Sequence, residues 1–228
     1  GIPSFKIKQH NDEVFILPTY DLNSQKGNNT DFSNVHFVPE SIDNSFTKIS
    51  GARTINVPNQ IVTENVLDMS HISYVHTFGN RISPYPFHIE YNESNFEYGG
   101  RTTFFYTAGT SSMSKILGNV KYVRVENEFH LPDTTVTRVI FGEKMTKTVV
   151  TRCYPITENK SILFYDLYRN FLEETIYDCL FQYQMDKTLK EDIDILNNIH
   201  IKHAKGYFNT KYDITQIKYR AKLKRFIN

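Results

Sequence analysis

Two histidines and a carboxylate stand close together near the start of the second quarter of the chain. Asp68 is followed three residues later by His71, and His76 comes five residues after that. Two neutral imidazoles and one further carboxylate form a facial triad, which holds non-haem Fe(II) and leaves the opposite coordination positions open for dioxygen and substrate. The spacing therefore predicts oxygen-activating metal chemistry.

The spacing alone is a weak signal. A chain with eight histidines contains an Asp-x-x-His-x-x-x-x-His arrangement by chance in roughly one or two cases in a hundred. An isolated histidine pair is also more often structural than metal-binding. The alternative is therefore a hydrogen-bonded polar cluster, formed by Asp68, His71 and His76, that lines a core helix.

A longer match comes from the flanking residues, since Glu64-Asn65 precedes the motif and apolar residues separate its polar positions. The whole segment 64–76 resembles the mononuclear-iron motif of Rieske-type non-haem iron oxygenases, especially the branch with the vanillate O-demethylases. The resemblance implies that His71 and His76 are iron ligands. It also implies that Asp68 is the bridge through which an electron arrives from a neighbouring subunit.

Helix geometry limits how this segment can fold. At 3.6 residues per turn, His71 and His76 differ by about 140° around a helix, so a straight helix cannot aim both at one metal. The sequence predicts a helix that runs through about Ser73 and bends or ends before His76.

The third ligand has to come from elsewhere. In the family it lies on a long C-terminal helix, in a motif where an acidic residue and an aspartate precede an apolar pair. The segment 191–196, Glu-Asp-Ile-Asp-Ile-Leu, is similar to that motif. In helical projection Asp192 lies within an apolar arc and Asp194 points away from it; the arc consists of Leu189, Ile193, Ile195, Leu196 and Ile199. A carboxylate there needs a partner. The partner is a metal or, alternatively, a lysine or arginine.

Two weaker candidates for the third ligand are Asp178 and Asp186.

Composition narrows the possible functions. A chain of 228 residues with 26 basic and 25 acidic residues can bury one substantial core, and it gives no electrostatic case for nucleic acid. The basic run 218–225 is expected to be a solvated terminal helix. Cys153 and Cys179 lack metal-ligand spacing and are expected to be buried thiols in a reducing, cytoplasmic compartment. No apolar run approaches the length of a transmembrane segment.

Hydrophobic alternation places the secondary structure. A β-hairpin is predicted at 5–10 and 14–17, a surface loop at about 20–50, and a Pro- and Gly-punctuated stretch at 79–100. Strands are predicted at about 102–109, 120–129, 134–142, 146–154 and 160–169, with turns at Gly118-Asn119, Pro132-Asp133, Gly142-Glu143 and Glu158-Asn159. A helical pattern then runs from Phe171 to about Ile199.

This order fits an α+β helix-grip (START-like) domain, in which a curved antiparallel sheet wraps around a long C-terminal helix. The family's catalytic domain has that architecture. By the same resemblance, residues 1–19 are expected to be the hairpin remnant of a preceding Rieske domain and residues 20–228 the mononuclear iron catalytic domain.

The chain lacks the Cys-x-His and Cys-x-x-His pairs of a Rieske cluster,. The [2Fe-2S] cluster is therefore expected on a missing domain or a partner chain, unless redox function has been lost. Since the chain starts with Gly1 and not Met, a cropped catalytic domain is the favoured explanation. The resemblance further implies a reductase or ferredoxin as electron donor and a possible homotrimer.

The predicted function is an oxygenase that uses Fe(II) and dioxygen to hydroxylate or demethylate a small apolar, ring-containing substrate, as a monooxygenase rather than a dioxygenase. Aromatic residues that could line its pocket are Phe78, Phe87, Phe104, Phe105 and Phe129, although most are expected in the core. Two alternatives stay open. One is a metal-free helix-grip module that binds a hydrophobic ligand. The other is a zinc hydrolase, although the chain has no H-E-x-x-H motif,.

Overall fold

A seven-stranded antiparallel sheet with helices against one face forms the body of the protein. The computed structural model describes residues 5–10, 13–18, 35–108, 120–199 and 209–227. The strands in this part of the chain are β1 (Phe5–His10), β2 (Glu13–Pro18), β3 (Thr47–Ile55), β4 (His88–Asn92), β5 (Gly99–Thr107), β6 (Tyr122–His130), β7 (Thr134–Phe141), β8 (Met145–Thr157) and β9 (Lys160–Arg169). The helices are α1 (Asn59–Leu67), α2 (Ile72–Val75), α3 (Asp178–Leu196) and α4 (Ile214–Ile227). Short 3₁₀ turns lie at Pro39–Ser41 and Thr175–Tyr177.

The order of the strands in the large sheet is β3-β9-β8-β7-β6-β5-β4. From β4 to β9 each strand pairs with the next in the chain, which is the predicted meander. The turn between β7 and β8 contains Gly142 at φ +64°, a left-handed conformation that glycine adopts without a steric penalty. The predicted α+β class is confirmed, while the turn predicted at Gly118-Asn119 lies outside the described residues.

Alternation along the strands divides the side chains between two faces. On β9, Leu163, Tyr165 and Leu167 are buried in the core that α1 and α3 cover. The opposite face carries a smaller cluster of Val38, Val136, Val150 and Tyr168. The helices therefore lie on one face, and part of segment 35–46 packs on the other.

The opposite face also carries a buried ion network. Arg138 donates through Nε to Glu40, 2.5 Å away, and through Nη1 to Glu128, also 2.5 Å away. Arg101 binds Glu128 as well, at 2.8 Å. These bonds connect the 3₁₀ turn at Pro39–Ser41 to β5, β6 and β7.

Two strands were missed by the sequence analysis. β3 begins in the segment expected to be a surface loop and extends beyond it to Ile55, and β4 lies in the stretch punctuated by Pro and Gly. Both are edge strands, and each pairs with one neighbour: β3 with β9 and β4 with β5. The preference of a segment for strand conformation depends on its context, so pairing with β9 and β5 decides the conformation of these two segments.

Other expectations require correction. Cys153 is buried as expected, but Cys179 is exposed because it lies in the first turn of α3 on the solvent side. The basic helix α4 is not merely solvated, since Tyr219 is 3% exposed and Arg220 forms an ion pair with Glu64 at 2.6 Å. The long C-terminal helix starts at Asp178, later than predicted.

The predicted hairpin is present as the separate two-stranded sheet β1-β2. It contacts the larger body through Glu13, which accepts a 2.8 Å bond from Arg152. None of the described helices is long and apolar enough to cross a bilayer.

Candidate metal centre

The predicted site begins where α1 ends. Helix C-termini leave carbonyl groups without partners inside the helix. Here side chains from the surrounding elements donate hydrogen bonds to these carbonyl groups. Asn127 donates to the carbonyl of Val66 at 3.3 Å, and Gln216 donates to the carbonyl of Glu64 at 3.1 Å. A sheet strand and α4 therefore fix the point at which the chain leaves α1.

Asp68 shapes the turn that follows. Its Oδ1 accepts bonds from the backbone N–H of Ser70 at 2.8 Å, the hydroxyl of Ser70 at 2.6 Å and the N–H of His71 at 3.3 Å. Tyr106 donates to the carbonyl of Met69 at 3.1 Å. These bonds hold the connection between α1 and α2 in one conformation.

A helix ends before His76, as predicted, but it is not continuous from α1 through Ser73. α1 ends at Leu67, and the separate helix α2 begins at Ile72. His71 directly precedes α2 and His76 directly follows it, with His76 in extended conformation (φ −84°, ψ 140°). Because α2 ends at Val75 and His76 is extended, the two imidazoles avoid the 140° separation of a straight helix and converge.

The third candidate ligand is a carboxylate from α3. Asp192 Oδ1 lies 3.3 Å from His71 Nε2 and 3.4 Å from His76 Nε2, and the two Nε2 atoms are 3.1 Å apart. The structure thus brings His71, His76 and Asp192 together from positions about 120 residues apart in sequence. All three side chains are shielded from solvent, with exposed fractions of 13%, 3% and 14%.

The hydrogen-bond partners of the two histidines indicate which ring nitrogens carry protons. His71 Nδ1 meets the backbone carbonyl of Asp68, and His76 Nδ1 lies 3.0 Å from Glu191 Oε2. Both partners are acceptors, so each neutral ring places its hydrogen on Nδ1 and its lone pair on Nε2. Two lone pairs and the carboxylate oxygen of Asp192, which has no hydrogen-bond partner, then face one another.

Three acceptors at these distances call for a cation or a proton between them. The pKa values of the two histidines shift in opposite directions in the metal-free cluster. Burial works to lower the pKa of His71, but the carboxylates of Asp192 and Asp68 outweigh burial and raise it. Burial together with the nearby His71 lowers the pKa of His76, although Asp192 and Glu191 oppose this. In the metal-free cluster the carboxylates of Asp192 and Asp68 therefore favour the protonated form of His71.

The donor set fits a divalent transition metal. Imidazole nitrogen and carboxylate oxygen are ligands of non-haem iron and of zinc. Ligands about 2.1 Å from one metal lie roughly 3.0 to 3.4 Å apart when the angles between them range from right angles to tetrahedral. The three distances here, 3.1, 3.3 and 3.4 Å, fall in that range.

The other carboxylates considered for the site are used elsewhere. Asp178 pairs with Arg169 and Asp186 with Arg53, each at 2.5 Å. Asp194 is exposed, as the helical projection predicts. The apolar arc around Asp192 is only partly correct, since Ile195 and Ile199 are exposed while Leu189 and Leu196 are buried.

One aromatic ring packs directly against the cluster. The ring of Phe78 stacks on His76 with centroids 5.0 Å apart. Met69 is buried against Phe104 and Val125. Of the other predicted pocket residues, Phe104 and Phe129 lie in the core, and Phe87 and Phe105 contact each other. A surface depression of about 520 Å³ near Glu40 and Tyr168 does not border the triad.

A second group of possible ligands, His36, Glu128 and His130, fits a metal less well. The two imidazoles stack face to face with centroids 3.4 Å apart and planes within 8°. Parallel stacked rings direct their lone pairs side by side and not towards one point between them. Glu128 is also occupied by Arg101 and Arg138. This group is better described as part of the buried ion network.

Sequence reasoning assigned no role to several residues that shape the site. Glu191 was quoted only as part of the acidic motif, yet it contacts His76. Tyr106, Asn127 and Gln216 hold the backbone around Asp68. Their side chains come from strands and a helix far away in sequence, so no local pattern signals their role.

The comparisons with known proteins match this part of the chain. The model of the family described as vanillate O-demethylase oxygenase C-terminal domain matches residues 55–228. Comparison with curated proteins gives no match.

Solved structures show the same fold at low identity. A structure of dicamba monooxygenase bound to 3,6-dichlorosalicylic acid matches with a TM-score of 0.74 and 15% identity, over 97% of this chain and 69% of that one. NdmA of Pseudomonas putida CBB5 with caffeine matches with a TM-score of 0.71 and 15% identity, over 96% of this chain and 61% of that one. Both belong to proteins longer than this chain.

Proposed function

Because the chain belongs to the family of vanillate O-demethylase oxygenase C-terminal domains, an oxygenase family, we propose that it binds mononuclear Fe(II) through His71, His76 and Asp192. The observation that carries the proposal is the cluster of three acceptor atoms that face one another within 3.4 Å. When bound, iron would supply dioxygen activation, with electrons from a Rieske [2Fe-2S] centre outside this chain.

The protein's own contribution is to hold the donors and exclude water. The end of α2 before His76 lets both imidazoles point to one site, and Asp192 completes the set from α3. Tyr106 and Asn127 fix the backbone on either side of Asp68. Burial of the ligands keeps competing water away from the donor atoms, which strengthens their interaction with a cation.

Asp68 is proposed as the bridge for electron entry. It contacts His71 through its backbone carbonyl, while its carboxylate accepts three bonds in the turn and remains partly exposed. If the role is correct, Asp68→Asn in the complete enzyme slows turnover while iron stays bound. Unchanged turnover with bound iron would show that electrons enter by another route.

The proposed substrate is a small apolar molecule, ring-containing or methoxy-bearing, that is hydroxylated or demethylated by a monooxygenase. The aromatic ring of Phe78, which stacks on His76, suits contact with such a molecule. The similar structures were solved with 3,6-dichlorosalicylic acid and with caffeine, both ring compounds. Product analysis with ¹⁸O₂ distinguishes a monooxygenase from a dioxygenase, since a monooxygenase places one labelled oxygen atom in the product and a dioxygenase two.

Further parts of the proposal concern the assembly. The hairpin β1-β2 would belong to a preceding Rieske domain, with residues 20–228 as the catalytic domain. A reductase or ferredoxin would donate electrons, and a homotrimer would place the donor centre of one subunit near Asp68 of the next. The compartment would be the cytoplasm.

Metal binding tests the central claim directly. Metal-free protein is titrated anaerobically with Fe(II), and separately with Co(II) as a spectroscopic probe. Wild type is expected to bind one equivalent, and His76→Ala is expected to lose binding. His88→Ala is the matched control, since His88 lies exposed on β4. If wild type binds no metal and His76→Ala still binds an apolar ligand, the protein would be a carrier. Preference for Zn(II) with hydrolytic turnover would indicate a hydrolase.

A further inference from the structure

Glu191 makes a contact that the proposed ligand set does not use. We propose that Glu191 is a positioning residue, which fixes the tautomer and ring orientation of His76 so that the Nε2 lone pair points into the donor cluster. The expected effect on metal affinity rests on the proposed function, whereas the contact between Glu191 and His76 is present in the metal-free protein.

The geometry places His76 between two neighbouring carboxylates. Glu191 Oε2 lies 3.0 Å from Nδ1 on one side of the ring, and Asp192 Oδ1 lies 3.4 Å from Nε2 on the other. The His76 side chain is 3% exposed and Glu191 is 19% exposed, so water competes little for the bond. Consecutive residues of α3 thus provide one proposed ligand and the group that orients another.

The two imidazoles differ in the partner of Nδ1. His71 meets a neutral backbone carbonyl, that of Asp68, whereas His76 meets a carboxylate. Hydrogen bonds to an ionised acceptor are roughly twice as strong as neutral ones. A carboxylate behind a metal-ligating histidine also raises its basicity and holds its tautomer. Glu191 would therefore hold the tautomer and the ring orientation of His76.

A surface role for Glu191 accounts less well for its position. Within the described residues, its ion-pair partner is His76, and no lysine or arginine lies within ion-pair distance of it. Phe78 stacks on the same imidazole, so the ring is restrained on its face as well as at Nδ1. Free histidine prefers the hydrogen on Nε2, and Glu191 is the group that reverses this preference at His76.

The test compares Glu191→Ala and Glu191→Gln with wild type in two measurements. Long-range ¹H–¹⁵N NMR of the metal-free, ¹⁵N-histidine-labelled protein reads the tautomer of His76. Anaerobic titration with Co(II) reads metal affinity. Asp194→Asn is the control, because it removes an exposed negative charge from the same helix. Thermal unfolding establishes that each variant is folded.

In Glu191→Ala we expect the His76 hydrogen to move towards Nε2 and Co(II) affinity to fall about 10- to 100-fold. Glu191→Gln should lose less, since its amide oxygen still accepts from Nδ1, and Asp194→Asn should match wild type. An Nδ1–H tautomer and wild-type affinity in Glu191→Ala would overturn the positioning role. A wild-type chain that binds no Co(II), but whose tautomer depends on Glu191, would refute the metal centre and leave the positioning role intact.

Discussion

Replacing Asp192 with asparagine tests whether this residue is a metal ligand or a structural ion-pair partner. In the metal-free protein its Oδ1 is a buried acceptor without a hydrogen-bond partner that faces two further acceptors, the Nε2 atoms of His71 and His76. An asparagine amide turns one acceptor into a donor at the same position. The unmet acceptor costs about 1–3 kcal/mol, so Asp192→Asn should stabilise the metal-free protein by up to that amount.

The assay is urea unfolding with a chelator at about pH 9, where neutral imidazoles predominate. A gain of about 1–3 kcal/mol corresponds to roughly 2–12 °C in the unfolding temperature for a chain of this size. With a metal at 100 times its dissociation constant, wild type should gain about 2.7 kcal/mol, whereas Asp192→Asn should gain little. Asp194→Asn, exposed on the same helix, should change stability by less than about 0.5 kcal/mol. If Asp192→Asn were less stable than wild type with the chelator present, the carboxylate would stabilise the fold and the reasoning would fail.

Other predictions concern the supports of the site and the far face of the sheet. Burial and the nearby His130 lower the pKa of His36 to about 4. As pH falls below 6.5, the unfolded chain therefore takes up a proton at His36 before the folded chain does, and the free energy of unfolding declines until about pH 4. His36→Gln should remove this decline from urea unfolding measured as a function of pH. Arg138→Met leaves Glu128 with one guanidinium fewer and should cost about 3–5 kcal/mol in urea unfolding; a cost below about 1 kcal/mol would contradict a stabilising network. Tyr106→Phe removes the bond to the Met69 carbonyl and should cost about 1–3 kcal/mol in unfolding free energy, with metal titration expected to show a smaller effect than His76→Ala.

The motif from Glu64 to His76 was readable from the sequence because it is local. Spacing and flanking residues indicate the family, and helical projection distinguishes Asp192 from Asp194. The meander from β5 to β9 was also predictable, since each strand alternates and a turn signal follows it. These features depend on neighbours within about ten residues, which is the range over which sequence periodicity reports on structure.

Tertiary structure decided the rest. The break between α1 and α2 depends on Tyr106, Asn127 and Gln216, which contact the backbone from distant elements. The edge strands β3 and β4 take their conformation from the strand each pairs with. Above all, the convergence of His71, His76 and Asp192 requires the sheet and helices to bring together residues about 120 positions apart. Sequence alone determined which atoms could bind a metal; packing decided that their lone pairs face one another, because only the folded chain fixes both the partner of each Nδ1 and the distance between each pair of donors.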